Sequence, residues 1–278
     1  MGVQRVAEHM LEAGVDGLFV LGSCGEGPTL PRAVANDLVG AYVSAAEGRI
    51  PVLAGVGESS TERALEAVRA VEAAGASCVV AMAPMYFQAG GDAAAIRHIE
   101  AIAASTALPV VVYNIPHLTM HPITPVALAE VAGIDNVVAL KESSGQWEIF
   151  EPLMRTAIDA GLAVFQGAEG LIARSIAAGA TGAVPGVANV APAISVELVQ
   201  RALAGDQTRA AELQGRLDEV CELYAAGFWL ASLKYAVSAL GLADATAGAA
   251  LPVLDAQGEA RVRAVLARTV GLPSEVDR

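Results

Sequence analysis

Seven short apolar runs, each followed by a stretch with helical periodicity, constrain this chain more than any other feature. They occupy residues 17–21, 52–55, 78–81, 110–113, 137–141, 164–166 and 182–184. Between them lie Ala-rich amphipathic segments such as 61–74 and 91–105, several opened by a polar residue suited to capping. Strands that are apolar on both faces belong to a parallel sheet covered by helices on each side. Recurrence roughly every 30 residues suggests a (β/α) barrel. An open doubly wound sheet is the competing architecture. The turn after the first run, Gly22-Ser23-Cys24-Gly25-Glu26-Gly27, does not fit the dinucleotide fingerprint G-x-G-x-x-G, which favours the barrel.

The expected fold is therefore α/β, a (β/α)8 TIM barrel. Its first strand is missing from this chain, because residues 3–13 read as a helix with no strand before them. Beyond residue 192 the strands stop, and helices are expected over 193–204, 207–226, 229–240 and 256–269. The division is a barrel over 1–192 and a carboxyl-terminal helical extension over 193–278. No low-complexity linker separates the two, so the extension is expected to pack on the barrel or on a partner subunit.

Composition narrows the function. With 278 residues, 54% of them hydrophobic, the chain can bury a large core, yet no stretch reaches the roughly 20 apolar residues of a membrane helix. A net charge of -13 opposes binding to nucleic acid or anionic membranes. Cys24, Cys78 and Cys221 lie far apart, without metal-ligand spacing, and His9, His98, His117 and His121 make no metal pattern. A soluble cytoplasmic protein with a small-molecule substrate and neither metal nor organic cofactor is expected.

Fifteen of the basic residues are Arg; only Lys141 and Lys234 are Lys. Arg serves solubility as well as Lys, but only Lys readily becomes a neutral amine. Lys141 closes the run Val137-Val138-Ala139-Leu140, at the end of a barrel strand where chemistry is found. Partial desolvation there favours the nucleophilic form, and condensation with a 2-oxo acid would give an imine that acts as an electron sink. The alternative is a lysine snorkelling to solvent. Tyr113 ends the preceding strand, where a phenol can relay protons or simply cap the core. The Gly22–Gly27 loop offers closely spaced amides and the Ser23 hydroxyl to a carboxylate. Lys234, in a tail helix, reads as structural.

Taken in order, Gly22-Ser23-Cys24-Gly25-Glu26-Gly27, Tyr113-Asn114-Ile115-Pro116, Lys141-Glu142-Ser143-Ser144-Gly145 and Gly182-Ala183-Val184-Pro185-Gly186 resemble the dihydrodipicolinate synthase and N-acetylneuraminate lyase family over nearly the whole chain. The resemblance implies that Lys141 forms the pyruvate Schiff base, that Tyr113 relays protons, and that Ser23, Cys24 and Gly25 hold the pyruvate carboxylate. It implies a second tyrosine, Tyr86 in Pro84-Met85-Tyr86, reaching across a subunit interface, and a homo-oligomer, commonly a tetramer. Val184 and Gly186 are implied to shape the site near the imine.

Departures from the family pattern bear on the substrate. The synthase carries an arginine two residues after the proline of the tyrosine motif; here Leu118 stands there, and an aliphatic side chain cannot replace a bidentate carboxylate donor. His117 is a partial substitute. A lyase or aldolase acting on a 2-keto-3-deoxy sugar acid is the leading expectation. Glu169 falls where sialic acid lyases place an acid for substrate hydroxyls, although a first-turn helix carboxylate is an equal reading. Cys24 replaces the usual Thr and is the weaker donor. A synthase-like condensation, a 2-oxo sugar acid dehydratase and a non-catalytic metabolite-binding relative remain as alternatives.

Overall fold

Each apolar run becomes a strand, and every strand lies parallel to the next. The computed structural model describes residues 2–87, 90–246, 248 and 250–272. After α1 (Gly2–Glu12) come β1 (Leu18–Val20), α2 (Arg32–Ala46), β2 (Val52–Gly55), α3 (Thr61–Ala73), β3 (Cys78–Met82) and α4 (Gly91–Ala104). The middle of the chain forms β4 (Val110–Asn114), α5 (Pro116–Thr119), α6 (Pro125–Val131), β5 (Val137–Glu142), α7 (Trp147–Asp159), β6 (Ala163–Gln166), α8 (Ile172–Ala177) and β7 (Gly182–Ala183). Four helices follow: α9 (Pro192–Leu203), α10 (Gln207–Cys221), α11 (Trp229–Ala239) and α12 (Ala256–Thr269).

The seven strands pair in sequence order, β1 to β7. Among the described residues β1 pairs only with β2 and β7 only with β6. Alternate residues of each strand enter two different cores, as the two-residue period requires. Val79, Ala81, Val110, Val112, Leu140 and Val164 face outward and join helix residues such as Val39, Ile99, Leu128 and Leu153 in one continuous core. Cys78, Val80, Met82, Val111, Tyr113 and Ala139 face inward as a second cluster, bordered by Phe19, Leu53, Ala163 and Phe165.

Helix starts follow the capping residues. Ser60 accepts the Arg63 amide at 3.3 Å to open α3, Thr124 caps α6 ahead of Pro125, and Asp206 and Asp255 cap α10 and α12. The α10 helix is shorter than the sequence predicts: it stops at Cys221, and Glu222–Ala226 tighten into a 3-10 turn before Gly227. The chain must change direction there to enter α11, and a tightened last turn does so without abandoning its backbone hydrogen bonds. Helix α9 packs on α8 and α10, α10 also on α8 and α12, and α12 on α11. No described helix is long and apolar enough to cross a membrane.

Candidate active site

Strand register brings the two main candidates together. Tyr113 on β4 is paired with Lys141 on β5, and both lie on the inward face because Val111 and Ala139, two residues earlier, do. Lys141 Nζ sits 4.3 Å from the centroid of the Tyr113 ring and 4.8 Å from that of Phe19. The lysine is 8% exposed and Tyr113 3%. Among the described residues no carboxylate pairs with Lys141. Ring faces therefore hold the amine, and a cation–π contact restrains a charge without supplying a counter-ion. Tyr113 and Phe19 meet edge to face, 5.9 Å apart.

Gly167, just after β6, supplies the next wall. A Cβ there would overlap Ser143 Oγ and approach both the Glu142 carbonyl oxygen and Lys141 Cε to 3.0 Å. The end of the lysine stem thus packs closely against this glycine.

The loop after β1 is a tight turn. The amides of Gly25 and Gly27 donate to the Gly22 carbonyl at 3.1 and 3.2 Å, and the Glu26 amide donates to Ser23 O at 3.2 Å. Gly25 thus shapes the turn with its amide engaged. Among the described residues the Ser23 and Cys24 amides bond to no other residue, so these two remain free to meet an anion. Burial pushes the Cys24 thiol up to about 11, only partly countered by the positive charge of Lys141, so it stays protonated at neutral pH. It is a weak donor and no thiolate nucleophile.

Glu26 locks this loop to the tail. Its backbone is left-handed (φ 54°), and its carboxylate is almost fully buried. Lys234 donates to Oε1, and the Gly248 amide donates to Oε2 at 2.8 Å. Lys234 also reaches the Thr246 carbonyl at 2.8 Å. The second lysine has a structural partner, in line with its reading from sequence.

Glu169, Cys24 and Gly186 converge at the other side of the site. A Cβ on Gly186 would come within 3.0 Å of Cys24 Sγ, 3.2 Å of Tyr224 Oη and 3.3 Å of Glu169 Oε1. The Tyr224 hydroxyl donates to Glu169 Oε1 at 3.0 Å and the Val187 amide donates to the same atom at 3.2 Å. Burial, and then the Glu169 charge, push the Tyr224 phenol well above its usual range, so it remains a donor. Tyr224 lies on the 3-10 turn after α10 and went unread in the sequence. Val184 extends β7, its amide donating to Gln166 O at 2.8 Å.

Two candidates stand apart within one chain. Tyr86 is 80% exposed, with its ring edge-on to Phe87 at 4.9 Å, and its φ of 87° places a non-glycine residue in a disfavoured region costing about 1–3 kcal/mol. Leu118 on α5 is 46% exposed. His117 beside it is exposed too, and partial burial lowers its pKa, so near neutral pH it is an uncharged ring rather than a replacement for a guanidinium.

An outward-facing polar row completes the rim. Asn114, Glu142 and Gln166 are register partners on β4, β5 and β6, and all are buried. Asn114 Oδ1 accepts the Ile123 amide at 3.0 Å, Glu142 Oε1 accepts the Ser144 amide at 2.7 Å, and Gln166 Oε1 accepts the Ala168 amide at 2.8 Å. Each fixes the loop that follows its strand. Asn114 Nδ2 also donates to Glu142 Oε1 at 3.1 Å, while Oε2 has no partner among the described residues and burial raises the pKa of the carboxyl. Among the described residues no His, Cys, Asp or Glu side chains gather into a set of three that could hold a metal.

Comparisons with known proteins cover nearly the whole chain. Residues 1–268 match the family model described as the dihydrodipicolinate synthetase family. A 4-hydroxy-tetrahydrodipicolinate synthase of Methanothrix thermoacetophila is 31% identical over 275 residues, covering 99% of this chain and 92% of that protein. An uncharacterized DapA-like lyase of Halobacterium salinarum is 35% identical over 244 residues, 87% of this chain and 78% of the relative. Among solved structures, the Thermotoga maritima dihydrodipicolinate synthase superposes with a TM-score of 0.93 at 27% identity, over 98% of this chain and 92% of the other. YagE, an Escherichia coli K12 prophage protein of the same family solved in complex with pyruvate, gives 0.91 at 26% identity over 97% and 92%. The chain belongs to the dihydrodipicolinate synthetase family and is, with that family, a TIM-barrel enzyme of the class I aldolase and lyase type.

Proposed function

We propose that Lys141 condenses with pyruvate or another 2-oxo acid and that the enzyme cleaves or forms a 2-keto-3-deoxy sugar acid. The observation carrying this reading is the inward-facing Tyr113–Lys141 pair, with Nζ 4.3 Å from the phenol ring and no carboxylate partner among the described residues. The amine adds to the C2 carbonyl, and Tyr113 passes a proton to the departing hydroxyl so that water leaves and a protonated imine remains. Tyr113, having given up its proton, takes the one on the C4 hydroxyl as the C3–C4 bond breaks and its electron pair flows into the imine, giving an enamine and an aldehyde; addition of the enamine to an aldehyde, with the proton returned to the new alkoxide, is the reverse. The Ser23 and Cys24 amides receive the carboxylate of the 2-oxo acid, with Val184 and Gly186 beside the imine. Leu118 offers no charge to a second carboxylate, which favours a neutral, hydroxylated acceptor with Glu169 near its hydroxyls.

The synthase reading is supported by the names of the relatives, several of which are 4-hydroxy-tetrahydrodipicolinate synthases. Side-by-side turnover of aspartate semialdehyde and neutral hydroxyaldehydes with pyruvate decides between the two. Borohydride reduction with pyruvate followed by peptide mapping tests the imine: an adduct on Lys141 supports the proposal, and a folded sample without one sinks it.

The same proposal includes a cytoplasmic homo-oligomer, in which Tyr86 of one subunit completes the proton relay of the next; its exposure and strained backbone support that role. It keeps the division into a barrel over 1–192 and an extension over 193–278. It also takes the fold as eight-stranded with one strand outside this chain, supported by the outer edges of β1 and β7, which are unpaired among the described residues.

A further inference from the structure

The cluster around Gly186 gathers a thiol, a phenol and a carboxylate about the space that a side chain would fill. These groups come from three distant parts of the chain: the loop after β1, the turn after β6, and the tail. Glu169 Oε1 is committed twice, to Tyr224 and to the Val187 amide. Glu169 Oε2 accepts from no group among the described residues and is not sealed from solvent. A carboxylate anchored through one oxygen presents the other in a fixed direction, and an ionised carboxylate only accepts hydrogen bonds.

We infer that Tyr224 is a positioning residue for acceptor specificity, holding Glu169 so that its free oxygen accepts a hydrogen bond from a hydroxyl group of the acceptor aldehyde. The inference rests on the imine reading above and narrows its second substrate. The subsite must take a donor. An aldehyde bearing a carboxylate there meets a like charge; one bearing a hydroxyl gains a charge-assisted bond. An aldehyde of equal length without hydroxyls gains nothing.

The side chain of Tyr224 sits in the tail turn, 55 positions from Glu169, and does not touch Lys141 in the described contacts. Removing its hydroxyl leaves imine formation intact and the carboxylate held by the Val187 amide alone, a single bond about which it can turn. Gln214 fixes only the backbone of Glu169, through a bond to its carbonyl at 2.9 Å, so no other described side chain takes over from the phenol.

The experiment compares the full-length wild type with Tyr224→Phe, Glu169→Gln and the double variant, with pyruvate and either glyceraldehyde or propanal. Melting temperature establishes folding, and borohydride trapping with pyruvate alone measures the imine separately. The expected result is a trapped adduct in all four proteins, an unchanged KM for pyruvate, and a KM for glyceraldehyde raised about tenfold in each single variant. With propanal Tyr224→Phe keeps wild-type kinetics, and with glyceraldehyde the double variant is no worse than either single one, because both changes remove the same contact. Equal losses with the two aldehydes, additive losses in the double variant, or a wild type that does not prefer glyceraldehyde would overturn the inference while leaving the imine in place. Absence of the adduct in folded wild type would overturn the functional proposal itself, and this inference with it.

Discussion

Gly167→Ala offers a sharp test of how closely the barrel holds its nucleophile. The added methyl would collide with Ser143 Oγ, the end of a small side chain that can rotate away. The other two contacts cannot be relieved so simply: the Glu142 carbonyl oxygen and Lys141 Cε both stand 3.0 Å from the new carbon. The carbonyl is tied down, accepting the amide of Gly167 itself at 2.7 Å. Lys141 must therefore move. Overpacking of this kind costs about 1–3 kcal/mol of stability, which corresponds to a fall of several degrees in melting temperature. Relieving a 3.0 Å contact takes a few tenths of an ångström at Cε, a fraction of the ~1 Å misplacement that costs on the order of a hundredfold in rate, so a loss of about three- to tenfold follows. The expected outcome is a folded protein whose rate of imine formation, followed by timed borohydride quenching with pyruvate, drops about three- to tenfold. A wild-type rate would refute the reasoning, since it would mean that the lysine stem does not depend on this wall. Gly215→Ala, on an exposed stretch of α10 where the methyl meets nothing within 4 Å, is the matched control and should stabilise the protein by about 0.5–1 kcal/mol in urea unfolding.

Lys141→Ala should abolish the pyruvate adduct while leaving the melting temperature within a few degrees of wild type; an adduct persisting elsewhere would remove the nucleophile assignment. Lys234→Met should cost about 3 kcal/mol in urea unfolding, because the buried Glu26 carboxylate would lose its counter-charge, and a change below about 1 kcal/mol would show that Gly248 and solvent suffice. His98 has its pKa lowered to about 4 by burial, so the folded protein prefers its neutral form. Its contribution is complete above the unfolded value near 6.5 and is lost as pH falls towards 4, on the order of 3 kcal/mol in all. Unfolding of wild type and His98→Gln at pH 7 and pH 4.5 should show the variant to be the less acid-sensitive; parallel losses would place the acid sensitivity elsewhere.

The strands were legible because both of their faces are buried, which turns each into an unbroken apolar run, and even the two-residue β7 lies within its predicted stretch at 182–184. Tyr113 and Lys141 could be found because polar residues that end such runs are conspicuous, and register then makes them neighbours. Tyr224 was hidden for a different reason. It lies on what reads as a continuous helix to residue 226, and only the tightening after Cys221 turns it toward Glu169. The link between Glu26 and Lys234 spans 208 positions, and no local pattern encodes a pairing across such a separation. Asn114, Glu142 and Gln166 left a fainter signal: each is a polar residue closing a strand, but on the outward face, where sequence offers no means of telling a loop anchor from a substrate ligand.

That outward row has a consequence for how the enzyme can change. The loops at the barrel mouth are fastened from behind, by side chains directed into the helical layer, while the residues directed into the barrel are free of that duty. Scaffold and chemistry thus occupy opposite sides of the same strands, one residue apart. Libraries confined to inward positions such as Leu53, Val80 and Phe165 can explore new substrates without unfastening the rim, whereas mutating Gln166, one place beyond Phe165, would loosen the loop it anchors before altering any substrate contact.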